Sequence, residues 1–140
     1  MKKLSLYMTI MLFLILTACQ SITTHMINND FISIQPETLP PDMVGIWSGS
    51  MGPSLITIKW MENGEGILCS SWGTDVMSKI KYSDRKFFYQ DGLRGEPQSI
   101  TDESLIIVFP YFGVKDSIMY KDDNLTKASL FCQAQFGGKK

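Results

Sequence analysis

The sequence predicts an all-β domain, a small antiparallel meander closing into a barrel of about eight strands, preceded by a signal peptide and a flexible tether. Three observations point there. Beyond residue 43 the chain is a succession of short apolar runs broken by turn residues every ~8–12 positions. Several of these runs alternate apolar and polar residues with period two. No longer stretch after the leader carries a stripe of period 3.6. At 140 residues, with 44% hydrophobic and 19% charged, the chain holds one small domain and is too apolar for wholesale disorder.

Residues 1–18 read as the leader. Lys2 and Lys3 form its positive end, and the apolar run 4–16 is interrupted only by Ser5, Tyr7 and Thr9. As a helix this run spans about 20 Å, short of the ~30 Å hydrocarbon core, so it fits a cleaved signal peptide better than a spanning helix. Leu16-Thr17-Ala18-Cys19 follows. This tetrapeptide resembles the lipobox of bacterial lipoproteins at every position. The resemblance implies transfer of diacylglycerol to the Cys19 sulfur, cleavage before Cys19, and acylation of the new amino group. Several acyl chains, at about 0.8 kcal/mol per buried methylene, hold a protein stably at a membrane. Gln20, where an Asp would mark inner-membrane retention, resembles the outer-membrane-directed class of Gram-negative lipoproteins.

Residues 19–42 then read as the lipidated N-terminus and tether. They are polar and unpatterned, with Pro36, Pro40 and Pro41 near the end. Phe31-Ile32-Ser33-Ile34 is apolar enough to dock on the domain or to add an edge strand. The barrel itself is expected over 43–135, with 136–140 as a tail.

Within the barrel the expected strands are 44–51, 54–61, 67–72, 75–82, 86–90, a weaker 98–101, 104–109, 117–121 and 125–133. Gly52-Pro53, Asn63-Gly64, Gly73, Ser83-Asp84, Asp91-Gly92, Pro110 and Asp122-Asp123-Asn124 separate them. Ile56, Ile58 and Trp60 fall on one face, Thr57 and Lys59 on the other. Ala128, Leu130 and Cys132 oppose Lys127 and Ser129 in the last run. Gly45-Ile46-Trp47-Ser48-Gly49 opens the first strand and resembles the Gly-x-Trp signature of lipocalins and related calycin-like barrels. That resemblance implies that Trp47 packs across the barrel floor. The greater length and C-terminal helix usual in the family have no counterpart in the pattern.

With Cys19 assigned to lipid, Cys69 and Cys132 remain in an oxidising compartment, where a disulfide is the default. The long loop it closes corresponds to roughly 4 kcal/mol in the chain-entropy model. Both cysteines are expected to point inward and to tie an early strand to the last; two separate buried thiols are the alternative. Two thiols and one distant His are too few for a closed metal site.

Catalytic signals are sparse. His25 is the sole histidine, reads as a solvated tether residue, and leaves no Ser-His-Asp or Cys-His set inside the domain. The carboxylate pairs Glu62/Glu65, Asp102/Glu103 and Asp122/Asp123 fall in turns, where acids are ordinarily solvated. Lys79, Lys81, Arg85 and Lys86 cluster about one turn, as a solvated hairpin edge or as a contact for anionic headgroups. Thirteen Lys and Arg against fourteen Asp and Glu leave no basic excess for nucleic acid. Phe87-Phe88-Tyr89 and Phe109-Pro110-Tyr111-Phe112 place aromatics on both sheet faces or in a loop, so some should be exposed or line a cavity mouth. No enzyme and no cofactor is expected. The reading that follows is a lipid-anchored accessory module of the cell envelope, bound to the outer membrane, that contacts an envelope protein. A carrier of a small apolar ligand is the alternative, or an inhibitor of a host hydrolase such as lysozyme, although the Ser-Gly-x-x-Tyr loop of the membrane-bound lysozyme inhibitors is missing.

Overall fold

The structure, a computed structural model, describes residues 21–138. The leader and Cys19 lie outside the described residues. Eight strands follow one another: β1 (Gly45–Met51), β2 (Ser54–Trp60), β3 (Glu65–Trp72), β4 (Thr74–Ser83), β5 (Lys86–Tyr89), β6 (Arg94–Ile100), β7 (Ser104–Val108) and β8 (Ser117–Lys121). Each pairs antiparallel with its neighbours, and β8 returns to β1 to close the barrel. Closure pairs the first and last strands with each other, so neither is left as an edge strand. The weak run before Thr101 extends back to Arg94, with a register shift between Pro97 and Ser99. An irregularity at that point accommodates a residue that cannot donate to the ladder.

The period-two pattern sorts the side chains. Ile56, Ile58 and Trp60 are buried inside the barrel, where Trp47, Leu68, Ile80, Phe87, Leu105, Ile107 and Met119 join them. Trp60 and Phe87 pack with ring centroids 4.9 Å apart. One end, which we term the lower end, carries the β2–β3, β4–β5 and β6–β7 turns. A 3-10 turn, Pro41–Met43, closes it by burying Met43 and, just before it, Leu39. Trp47 lies just inside this end, fully buried, and its indole N–H donates to the Met43 carbonyl at 2.8 Å. Lys121 caps the other side of the ring, its ammonium 4.6 Å from the centroid.

Three sequence expectations are corrected. The last run, 125–133, is not a strand: it leads into a helix at Leu130–Phe136. Ser129 caps that helix by accepting from the Cys132 N–H at 3.2 Å. Ala128, Cys132 and Phe136 pack together outside the barrel, and a spacing of four also satisfies period two, which is why the pattern misled. Leu130, expected on their face, is 83% exposed.

The cysteines, second, do not point inward. Leu68 faces the core, so its neighbour Cys69 faces out, and there it bonds Cys132 with the Cα atoms 5.8 Å apart. The disulfide ties a C-terminal cover to β3 and does not link two strands.

The tether, third, is not free along its length. A short helix α1 (Ile22–Ile27) and the segment after it run along the outside of β4 and β5 from the upper end to the lower. Phe31 is buried beneath Lys81, whose ammonium stands 4.7 Å from the ring and donates to the carbonyls of Phe31 and Ile34. Phe31 thus docks without adding a strand, and Lys81 is spent on this contact instead of forming a solvated edge. Among the described residues no helix is long and apolar enough to cross a membrane.

Candidate functional site

The strap formed by residues 22–43 is held at both ends where it crosses a glycine. At the lower end the Glu37 carbonyl occupies the place of a side chain on Gly64, where a Cβ would come within 1.9 Å. The Glu37 N–H donates to the Tyr82 carbonyl, and its carboxylate accepts from the Asp84 N–H at 3.1 Å. At the upper end the His25 carbonyl lies 2.6 Å from where a Gly92 Cβ would sit. Between these points Asp30 pairs with Arg94 at 3.1 Å, and Asn29 donates to the Gln90 carbonyl.

His25 is part of this clasp and not a solvated linker residue. Its Nδ1 lies 2.8 Å from the Tyr111 hydroxyl. That hydroxyl already accepts the Arg94 N–H at 2.8 Å, which leaves its own proton for the neutral imidazole. Partial burial and then the Arg94 charge hold His25 below its ordinary value, against a smaller opposing pull from Asp30. Burial likewise pushes the Tyr111 hydroxyl up. No sequence signal joins these residues; only the closed topology brings them together.

The upper end gathers the exposed aromatics. β4 pairs with β3 from Thr74 to Lys81 but with β5 only from Ile80 to Ser83, Gln90 adding hydrogen bonds to Lys79. The β3–β4 hairpin therefore runs past the β5–β6 corner by residues 74–78, about 16 Å of strand. Trp72, at its tip, is 67% exposed, and Phe112, in the β7–β8 loop, is 96% exposed. α1 sits at the low corner, with Ile22 packed on the barrel core and Met26 and Ile27 exposed. Of the aromatic triplet in β5, Phe87 and Tyr89 face inward, while Phe88 is buried on the outside under the Arg94 guanidinium.

On the opposite flank the C-terminal cover crosses β1, β2 and β3. Ser48, Thr57 and Cys69 stand in register on their outer face, and all are buried. Asp122, expected to be solvated, is buried as well. Burial alone would raise its carboxyl, but hydrogen bonds from the Ser48 hydroxyl, the Lys127 and Thr126 N–H groups and the Thr126 hydroxyl outweigh it and hold the group below its ordinary range. This acid organises a turn. Glu62 and Glu65 at the β2–β3 turn, and Asp102 and Glu103 in the β6–β7 turn, are exposed as expected. Among the described residues no group of His, Cys, Asp and Glu converges on a metal site. Sequence reasoning missed the upper rim as a unit, because its parts come from four separate turns and α1.

The fold is similar to that in a crystal structure of a protein assigned as a lipoprotein from Streptococcus pneumoniae, with a TM-score of 0.50 and 12% identity, covering 62% of this chain and all of that one. No curated protein matches the chain in sequence. Residues 28–135 match the family described as bacterial lipocalin LPS transport optimiser YedD. The match begins after α1, within the strap, and ends in the C-terminal helix, so it takes in the strap from residue 28, the barrel and most of the cover. The chain therefore belongs to the YedD family of bacterial lipocalins.

Proposed function

We propose that this protein is a non-enzymatic, lipid-anchored accessory module that serves lipopolysaccharide transport at the bacterial outer membrane by contacting another envelope component. The family match across strap, barrel and cover is the observation that carries the reading. The leader and Leu16-Thr17-Ala18-Cys19 supply the anchor, with lipid on Cys19. Trp47, Trp60, Phe87, Leu105, Ile107 and Met119 fill the barrel with the chain's own side chains, which favours recognition through the outer surface over cargo carried inside. The carrier reading draws on the same family, and on two buried polar groups without partners inside the barrel, Trp60 Nε1 and Tyr89 Oη.

The rate at which newly made lipopolysaccharide reaches the cell surface tests the proposal. In cells lacking the protein that rate is expected to fall, and the wild-type chain but not Cys19→Ala should restore it. An unchanged rate in the deletion strain, under conditions where the wild-type strain makes the protein, would overturn it. Native mass spectrometry of protein from its own host separates the carrier reading, which requires a bound apolar mass.

A further inference from the structure

We infer that the upper rim of the barrel is a membrane-seating surface, and that Trp72, Phe112 and Ile27 enter the interfacial layer of the bilayer holding the N-terminal lipid. The inference rests on the anchor reading for Cys19 and adds to it an orientation and a contact surface.

Chain path is the first argument. Ser21 is the N-cap of α1, and α1 is fixed at the upper end by the His25–Tyr111 contact and by Gly92. Cys19 stands only two residues before Ser21, about 7 Å of fully extended chain. With the strap docked, no spacer remains to hold the barrel away from its lipid. The upper end must face the bilayer at close range.

Side-chain chemistry is the second. Trp72 and Phe112 project from alternate corners of the rim, Ile27 is 77% exposed at a third, and Met51 reaches the fourth half-buried. Leu130 also stands exposed at the start of the C-terminal helix, beside the top of β3, where Ser129 and Ser71 meet at 2.7 Å. Ile32 on the strap and Met61, Ile67 and Tyr120 toward the lower end are exposed as well, and such scattered groups need no explanation, but large apolar groups at successive corners of one end do. Tryptophan with flanking aliphatic and aromatic groups suits the headgroup level of a bilayer.

The test uses the lipidated mature protein reconstituted into phosphatidylethanolamine–phosphatidylglycerol vesicles, with or without brominated acyl chains. Flotation reports the anchor, and tryptophan emission reports the rim. Trp47 and Trp60 are buried in the barrel, so Trp72 is the residue open to quenching. Brominated lipid is expected to remove a component of the emission that Trp72→Phe also removes. A double change, Phe112→Asp with Ile27→Asp, should reduce that quenching severalfold while flotation persists. Flotation without quenching would overturn the seating surface and leave the anchor intact. Failure to float would overturn the anchor, and the seating surface with it.

Discussion

The Tyr111 hydroxyl meets the His25 ring nitrogen at 2.8 Å across a sequence separation of 86 residues, joining the first helix to the loop before the last strand. This contact fixes where the N-terminus leaves the barrel. Its protonation therefore bears on the whole strap. His25 is held below its ordinary value, first by burial and then by Arg94, so the folded state prefers the neutral ring. As pH falls through about 6.5, the released segment takes up a proton before the docked one does, and docking weakens until pH drops below the docked value. His25 is the sole histidine, so its ring resonance can be followed by NMR without assignment. Its midpoint is expected below about 6.5 and should rise in Tyr111→Phe. A midpoint at the ordinary value in the wild-type chain would show that the clasp is open in solution.

The disulfide between Cys69 and Cys132 lies outside the barrel. Cys69→Ser with Cys132→Ser should lower stability by roughly 2–4 kcal/mol yet leave the sheet signal in circular dichroism unchanged. Collapse of that signal would mean the bond holds strands together after all. Non-reducing mass spectrometry gives the bond itself.

Two interior aromatics should respond in opposite ways. Trp47 is fully buried and donates to Met43; replacing it with Ala should cost roughly 3–5 kcal/mol. The Tyr89 hydroxyl is buried without a partner, and burial first, then Asp91, pushes its ionisation far above the ordinary range. Tyr89→Phe should therefore be neutral or stabilising by up to about 1 kcal/mol. Urea denaturation of both variants is the check, and a large loss in Tyr89→Phe would reveal a partner for the hydroxyl.

Asp122 accepts from the Thr126 and Lys127 N–H groups at 2.7 and 3.0 Å. Asp122→Ala strands these donors and should cost roughly 2–3 kcal/mol. Because the folded carboxyl titrates below its ordinary value, its contribution is present above about pH 4 and fades as pH falls through the folded value. Acid denaturation followed by circular dichroism checks this: the variant's stability should vary less with pH below about 4 than the wild type's, and an equal pH dependence would show that the carboxylate contributes nothing.

The strands were legible because alternation is a local signal: Ile56, Ile58 and Trp60 announce an inner face without reference to anything else. The strap was not. Phe31, Leu39 and Met43 are isolated apolar residues in a polar, proline-rich stretch, and each is buried by partners on β2, β4 or the barrel floor that only closure supplies. The final helix was hidden for a different reason. Ala128, Cys132 and Phe136 are only three positions four apart, too few to distinguish a period of four from a period of two. The pairing of Cys69 with Cys132 was legible from cysteine number and compartment, whereas its placement outside the barrel followed from the inward orientation of Leu68. The rim stayed invisible because Trp72 and Phe112 lie in separate turns, and exposure is a property of the assembled end.

The mass and N-terminal residue of the mature protein, isolated from its own membranes, test the anchored-barrel reading most directly. A chain beginning at Cys19 and heavier by a diacylglyceryl group and an amide-linked acyl chain is the expected result, with no such species from Cys19→Ala. A mature chain that begins elsewhere, or begins at Cys19 without lipid, would contradict it.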